Sequence, residues 1–148
     1  MFKHILVPVD GSPVARHAVN KARAIACAFR SSVTLIHVID PYALTGMGAD
    51  FSSDPSENLR AATVQANEAI GAARQVFEAQ GMLVNGSVVE GHSVYQAILQ
   101  AAEALEADLV VMGSHGHRSM EKLVLGSVTA QVLSHSHLPV LVVRNEEA

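Results

Sequence analysis

Short, nearly continuous apolar runs alternate along this chain with longer stretches in which aliphatic and small residues recur every three or four positions. His4 to Val9 and Ser32 to Ile39 are runs of the first kind, the second rich in β-branched residues that suit a pleated backbone. Leu83 to Val89 is a weaker third, interrupted by Asn85-Gly86, and Asp108 to Gly113 and Pro139 to Val143 are the fourth and fifth. Strands covered on both faces read as continuous apolar runs, which places the fourth near the middle of a sheet. Between the runs, Ala15, Ala18, Val19, Ala22, Ile25, Ala26 and Phe29 form one stripe at helical spacing. A second stripe, Ala62, Ala66, Ala69, Ile70, Ala73, Val76 and Phe77, predicts a helix over Ser56 to Gln80. A third helix carries Val94, Ile98, Ala101, Ala102 and Leu105, and a short fourth spans Ser127 to Ser134.

The punctuation agrees with these elements. Ser12 followed by Pro13 is an N-cap with proline at the first helical position, Gly81 suits a helix C-terminus, and Ser93 with Gln96 predicts a capping box. Five strands and four main helices in β–α alternation require right-handed crossovers, hence a parallel sheet with helices on both faces. The expected architecture is therefore α/β, a single three-layer domain over residues 1–148. Asp40 to Pro55, with its Gly, Pro, Ser and Asp, is too long for a simple turn and reads as a lid or mobile connection.

Composition narrows the function. In a chain of 148 residues, 49% hydrophobic, apolar burial is sufficient to offset the entropy of ordering. A net charge of −4 lacks the broad basic field that nucleic acid binding demands, so DNA and RNA are set aside as partners. The single cysteine, Cys27, cannot staple the fold, which points to a reducing, cytoplasmic setting, and its place within a helix reads as a small buried hydrophobe. No run approaches the length of a membrane span, and Ile5-Leu6-Val7 is too short for the core of a signal segment.

In an open parallel sheet, ligands sit outside the carboxyl ends of the strands, where strand order reverses. Asp10 to Pro13, the residues after Val38, Glu90 to Ser93 and Gly113 to Ser127 emerge there. The last segment has Gly113, Gly116 and Gly126-Ser127 between a buried strand and a helix. Gly113 and Gly116 allow positive φ and close approach of a ligand, successive N–H groups form an anion nest, and the next helix adds unpartnered amides. The hydroxyls of Ser127 and Thr129 are further donors. Hydrogen bonds to charged groups are worth about 1.5–3 kcal/mol each, so three or four support binding near micromolar, about −8.2 kcal/mol, after association costs. Glycines also mark ordinary turns, and neither GxxxxGK[ST] nor a GxGxxG after the first strand is present. The residues alone thus reach an oxyanion at this loop.

The spacing G-x2-G-x9-G-S, realised as GSHGHRSMEKLVLGS from Gly113 to Ser127, resembles the ATP-binding motif of the universal stress protein family. ILVPVDGS from Ile5 to Ser12 and HLPVLVVR from His137 to Arg144 are similar to the two ends of that family. The resemblance implies a flavodoxin-like sheet of order 3-2-1-4-5, with Asp10 and Gly113 on opposite walls of one crevice. It implies that Pro8, Val9 and Asp10 line the adenosine, Asp10 lying near the ribose or a phosphate-bound Mg²⁺, and that the main chain of Val38 meets adenine. Met112, Gly113, His115 and Gly116 would wrap ribose and phosphates, and Gly126, Ser127, Val128 and Thr129 would hold the phosphate tail. The implied ligand is ATP, with ADP, AMP or cyclic AMP as alternatives, in a stress-response regulatory module that hydrolyses slowly or not at all. A homodimer through the last strand, Val140 to Val143, is also implied.

Three rival readings stay open. A weak ATP hydrolase or phosphotransferase would draw on Asp10, Ser12, His92 or His115, yet no spacing among them demands a catalytic pair. A metal site would use His115 with His117, or His135 with His137, but each pair lacks a third ligand at recognisable spacing, and His135 suits a helix C-terminus. A dimeric interaction protein with a structural nucleotide would rest on the apolar final strand as an open sheet edge. Arg118 and Lys122 read as solvated loop charges.

Overall fold

Each apolar run becomes a strand whose successive side chains enter opposite layers. The computed structural model describes residues 1–41, 55–115 and 125–144. Its elements are β1 (His4–Pro8), α1 (Pro13–Phe29), β2 (Ser32–Ile39), α2 (Pro55–Glu78), β3 (Asn85–Glu90), α3 (Val94–Ala104), β4 (Leu109–Gly113), α4 (Ser127–His135) and β5 (Val140–Val143). All strand pairs are parallel, in the order β3-β2-β1-β4-β5. The residues 42–54 of the long connection lie outside the described chain.

Two cores flank the sheet. Ile5, Val7, Leu35 and Val111 pack on one face with Ala18, Ala22, Ile70 and Phe77 from α1 and α2. Leu6, Ile36, Val110 and Met112 pack on the other with Ile98, Ala102 and Val132 from α3 and α4. The period-two alternation of a strand sends Ile5 and Val7 one way and Leu6 the other, and both directions are apolar because both are covered.

Local signals hold in some places and yield in others. Ser12 caps α1 by accepting the Ala15 amide at 3.2 Å, with Pro13 first in the helix. Gly81 takes φ 74 just beyond α2. The Ser93–Gln96 capping box does not form: Ser93 makes no side-chain cap, and the Gln96 amide donates to the Tyr95 hydroxyl at 3.3 Å. The third strand starts at Asn85, not Leu83, which is exposed. Gly86 is no interruption there. It pairs with Leu35, and a Cβ in its place would lie 2.5 Å from Ile70 Cγ2 and 2.6 Å from Arg74 Nη2, so its bareness lets α2 close on the strand. Cys27 is exposed rather than buried, because Ala22 and Ala26 take the inward positions of α1.

At the opposite end of the sheet from the strand C-termini, Asp108 accepts the amides of Lys3 at 2.8 Å and His4 at 3.0 Å. Burial acts to raise its pKa, but the backbone hydrogen bonds, that from Lys3 foremost, outweigh it and hold the carboxyl below its ordinary value. A depressed folded-state pKa adds stability above the unfolded carboxylate value of about 3.9, lost as pH falls through the folded value. Asp108→Asn is therefore expected to cost about 1 kcal/mol at pH 7, a figure kept small by water at this edge, and the cost should vanish in strong acid. Urea titrations of both chains at pH 7 and through the acid range measure the difference; equal losses at every pH contradict a charge effect.

Candidate functional site

The crevice arises where the two central strands part. β1 pairs with β4 only at Ile5↔Leu109 and Leu6↔Val110, whereas its pairing with β2 continues to Pro8↔Ile36 and that of β4 with β5 to Gly113↔Val143. Beyond Leu6 and Val110 a cleft of about 780 Å³ opens, within the usual size range of small-molecule sites. Pro8, Val9 and Asp10 border it on the β1 side, and Met112, Gly113 and His115 on the β4 side. Val38 lines it from β2, and Gly126, Ser127, Val128 and Thr129 from the start of α4. Every described residue that the resemblance nominated for nucleotide contact thus borders one cavity, whereas Ser12, His92, His135 and His137 do not line it. Gly116 lies outside the described residues, as do His117, Arg118, Ser119 and Lys122.

The β1 wall is set by a tight turn. Asp10 Oδ1 accepts the Ser12 amide at 2.9 Å, an aspartate turn made possible by Gly11 at φ 82, in the left-handed region that glycine tolerates. Ser12, itself buried, then caps α1. Asp10 is therefore held in a fixed attitude at the rim.

The β4 wall differs in chemistry from the sequence expectation. Gly113 does not adopt positive φ; it is the last residue of β4, and among the described glycines positive φ belongs to Gly11 and Gly81. The requirement for glycine is packing: a Cβ at Gly113 would fall 2.5 Å from Val14 Cγ1 and 3.3 Å from the Val14 carbonyl carbon. Gly126, at φ −63, is likewise ordinary in backbone, and a Cβ there would meet His115 Cα at 3.0 Å. The hydroxyl of Thr129, expected among the ligand donors, instead donates to the Gly113 carbonyl at 2.9 Å.

What this wall offers the cleft is main chain. The Gly126 amide donates to the Ser114 carbonyl at 2.8 Å, and intrahelical bonding in α4 begins with Ala130 N–H to Gly126 O at 2.9 Å. The amides of Ser127, Val128 and Thr129 therefore have no acceptor within the helix, and Gly126 makes no side-chain cap. Partial positive charge at this helix end favours an anion.

Several lining residues were not nominated from sequence. His37 and Asp40 flank the cleft from β2 and just beyond it, and Asp40 lies 3.7 Å from His92 across the rim. Val94 and Ile98 of α3 reach the same cavity. Their spacing of four reads as a core stripe, and only the sheet order places that stripe behind the crevice. Of the histidine pairs, His135 donates through Nδ1 to the Gln131 carbonyl at 2.8 Å and stacks on Tyr95 with centroids 5.0 Å apart, as a helix-end residue does.

Comparison with known proteins adds a second line. The family model described as the universal stress protein family matches residues 1–144. The universal stress protein MJ0531 of Methanocaldococcus jannaschii is 34% identical over 145 residues, covering 97% of this chain and 83% of its own. The solved structure of protein MJ0577 from the same organism superimposes with a TM-score of 0.84 at 31% identity, covering 100% of this chain and 99% of that one. A universal stress protein solved in complex with cAMP superimposes with a TM-score of 0.72 at 25% identity, covering 97% of both chains.

Proposed function

The chain belongs to the universal stress protein family, and from that premise we propose that it is an adenine-nucleotide-binding regulatory module of the cytoplasm, with ATP as its resident ligand. The observation that carries this reading is the row of amides at Ser127, Val128 and Thr129, which lack intrahelical acceptors and border a cleft of nucleotide size. The relative solved with cAMP supports an adenine nucleotide as the class of ligand. Val9, Val38 and Met112 give the cavity apolar surface for a base, while the α4 end supplies the anion-binding pole. No described helix is long and apolar enough to cross a membrane.

Asp10 fits a nucleotide-bound Mg²⁺. That ion keeps several waters and takes one or two protein carboxylates beside the phosphates; of the two that border the cleft, Asp10 and Asp40, Asp10 is oriented by its bond to the Ser12 amide. Bound Mg²⁺ would neutralise phosphate charge, and Asp10 would anchor it to the β1 wall. Hydrolysis needs a base aimed at an in-line water. Asp10 is tied to the Ser12 amide and His92 stands beside Asp40 at the rim, an arrangement better suited to holding a nucleotide than to turning it over.

The test is direct. Protein purified without added nucleotide and then denatured should release an adenine nucleotide, identified by its ultraviolet spectrum and mass, and the emptied chain should bind ATP near micromolar in calorimetry. No heat with ATP, ADP, AMP or cAMP overturns the reading.

The same proposal includes a homodimer through β5. This strand is terminal in the sheet, bonded to β4 alone, and Leu141 is 38% exposed on it. An edge of that kind invites pairing with a second chain. Sedimentation at micromolar concentration should give twice the chain mass, and a monomer is the contrary result.

A further inference from the structure

The Thr129 hydroxyl donates to a carbonyl sixteen residues away; as the third residue of α4 it has no preceding helical turn to bond back to. The reason that carbonyl is open to it lies in the parting of the central strands. Val110 and Ser114 donate their amides to the β5 side, to the carbonyls of Pro139 and Val143. By strand alternation, the peptide groups of Gly113 face β1 instead. The pairing of β1 with β4 ends at Leu6↔Val110, and Pro8, which by alternation faces β4 beyond that point, has no amide to carry the ladder on toward Gly113. The divergence that opens the cleft thus leaves the Gly113 carbonyl to be satisfied by another donor, and Thr129, 2% exposed, supplies it at 2.9 Å.

This bond does more than satisfy an acceptor. Together with Gly126 N–H to Ser114 O, it fastens the first turn of α4 to the end of β4 at two successive carbonyls, those of Gly113 and Ser114. Ser114 is in turn fixed to β5 through Val143 and is 2% exposed. The three acceptor-less amides therefore sit on a turn whose place relative to the cleft is set from beneath.

We propose that Thr129 is the positioning residue of the anion cradle, acting through the Gly113 carbonyl to hold the α4 amides at the phosphate end of the cleft while its own hydroxyl never contacts the ligand. This rests on the nucleotide reading above. Removing the hydroxyl should weaken triphosphate binding selectively, because the adenosine end is framed by β1 and β2.

The experiment compares wild type, Thr129→Val and Thr129→Ser by calorimetry with ATP and with AMP, alongside the melting temperature of each ligand-free chain. Thr129→Val should weaken ATP about tenfold while changing AMP less than about twofold, and Thr129→Ser, which keeps the hydroxyl, should stay within about threefold of wild type for both. Thr129→Ala repeats the comparison if the valine chain does not fold. Unchanged ATP binding, equal losses for ATP and AMP, or failure of serine to rescue each overturns the positioning role. A wild-type chain that binds neither nucleotide overturns the nucleotide reading itself, and this role with it.

Discussion

Gly113→Val should melt roughly 6–12 °C below the parent chain, a loss of about 3 kcal/mol in a domain of this length. Strand propensity alone has the opposite sign, since valine is a better strand residue than glycine. Packing decides the matter. The new Cβ would lie 2.5 Å from Val14 Cγ1, and because Val14 is 1% exposed that methyl has nowhere to go. The Val14 backbone carbon at 3.3 Å means that α1 itself must shift. Val14→Ala removes the nearest obstacle, so the double variant should recover more than half of the loss, a coupling far outside the additivity of distant sites. Additive effects in thermal melts would show that Gly113 is required for something other than its fit against α1. A loss of nucleotide binding in Gly113→Val alone is correspondingly ambiguous, and the double variant separates a damaged fold from a damaged site.

Ser127→Pro is the sharper probe of binding, expected to weaken ATP roughly 10- to 100-fold without lowering the melting temperature. Ser127 is the first residue of α4, where proline is favoured, and Gly126 at φ −63 and ψ 157 already has the extended backbone that a following proline demands. The substitution therefore deletes one amide donor and the Ser127 hydroxyl while leaving the helix start intact. A hydrogen bond from that amide to a charged oxygen is worth about 1.5–3 kcal/mol, which sets the range. Ser127→Ala keeps the amide and should bind within about threefold of the parent chain. If alanine is as damaging as proline, the hydroxyl and not the main chain grips the ligand; if neither matters, the anion lies elsewhere.

Both tests concern features that the sequence half disclosed. The order of elements followed from the alternation of periods, because a doubly covered sheet leaves continuous apolar runs that little else produces. The cleft was legible for the same reason: Asp10, Gly113 and Gly126-Ser127 all follow or precede elements whose ends must meet at one side of the sheet. What sequence misassigned was why the glycines are there. Gly113 and Gly86 occupy extended backbone and are bare because Val14 and Ile70 come close, and proximity between residues on different elements leaves no local trace. Thr129 was misread in the same way, since its acceptor at Gly113 depends on where two strands separate. Ser93 and Gln96 had the letters of a capping box, yet Gln96 turns to Tyr95. The share of Asp40, Val94 and Ile98 in the cleft likewise waited on three-dimensional neighbours.

The outward-facing thiol of Cys27 has a practical bearing on assembly. It is the sole sulfhydryl in the chain and sits on the outward side of α1, a helix packed on one face of the sheet, not on the β5 strand itself. In air, colliding copies can oxidise there into a covalent pair whose mass equals that of the edge-paired species. Mass alone then conflates two different geometries, and a reductant, or Cys27→Ser, separates them. The same thiol is a unique anchor for a fluorophore, and the distance between dyes on two copies would report which faces meet.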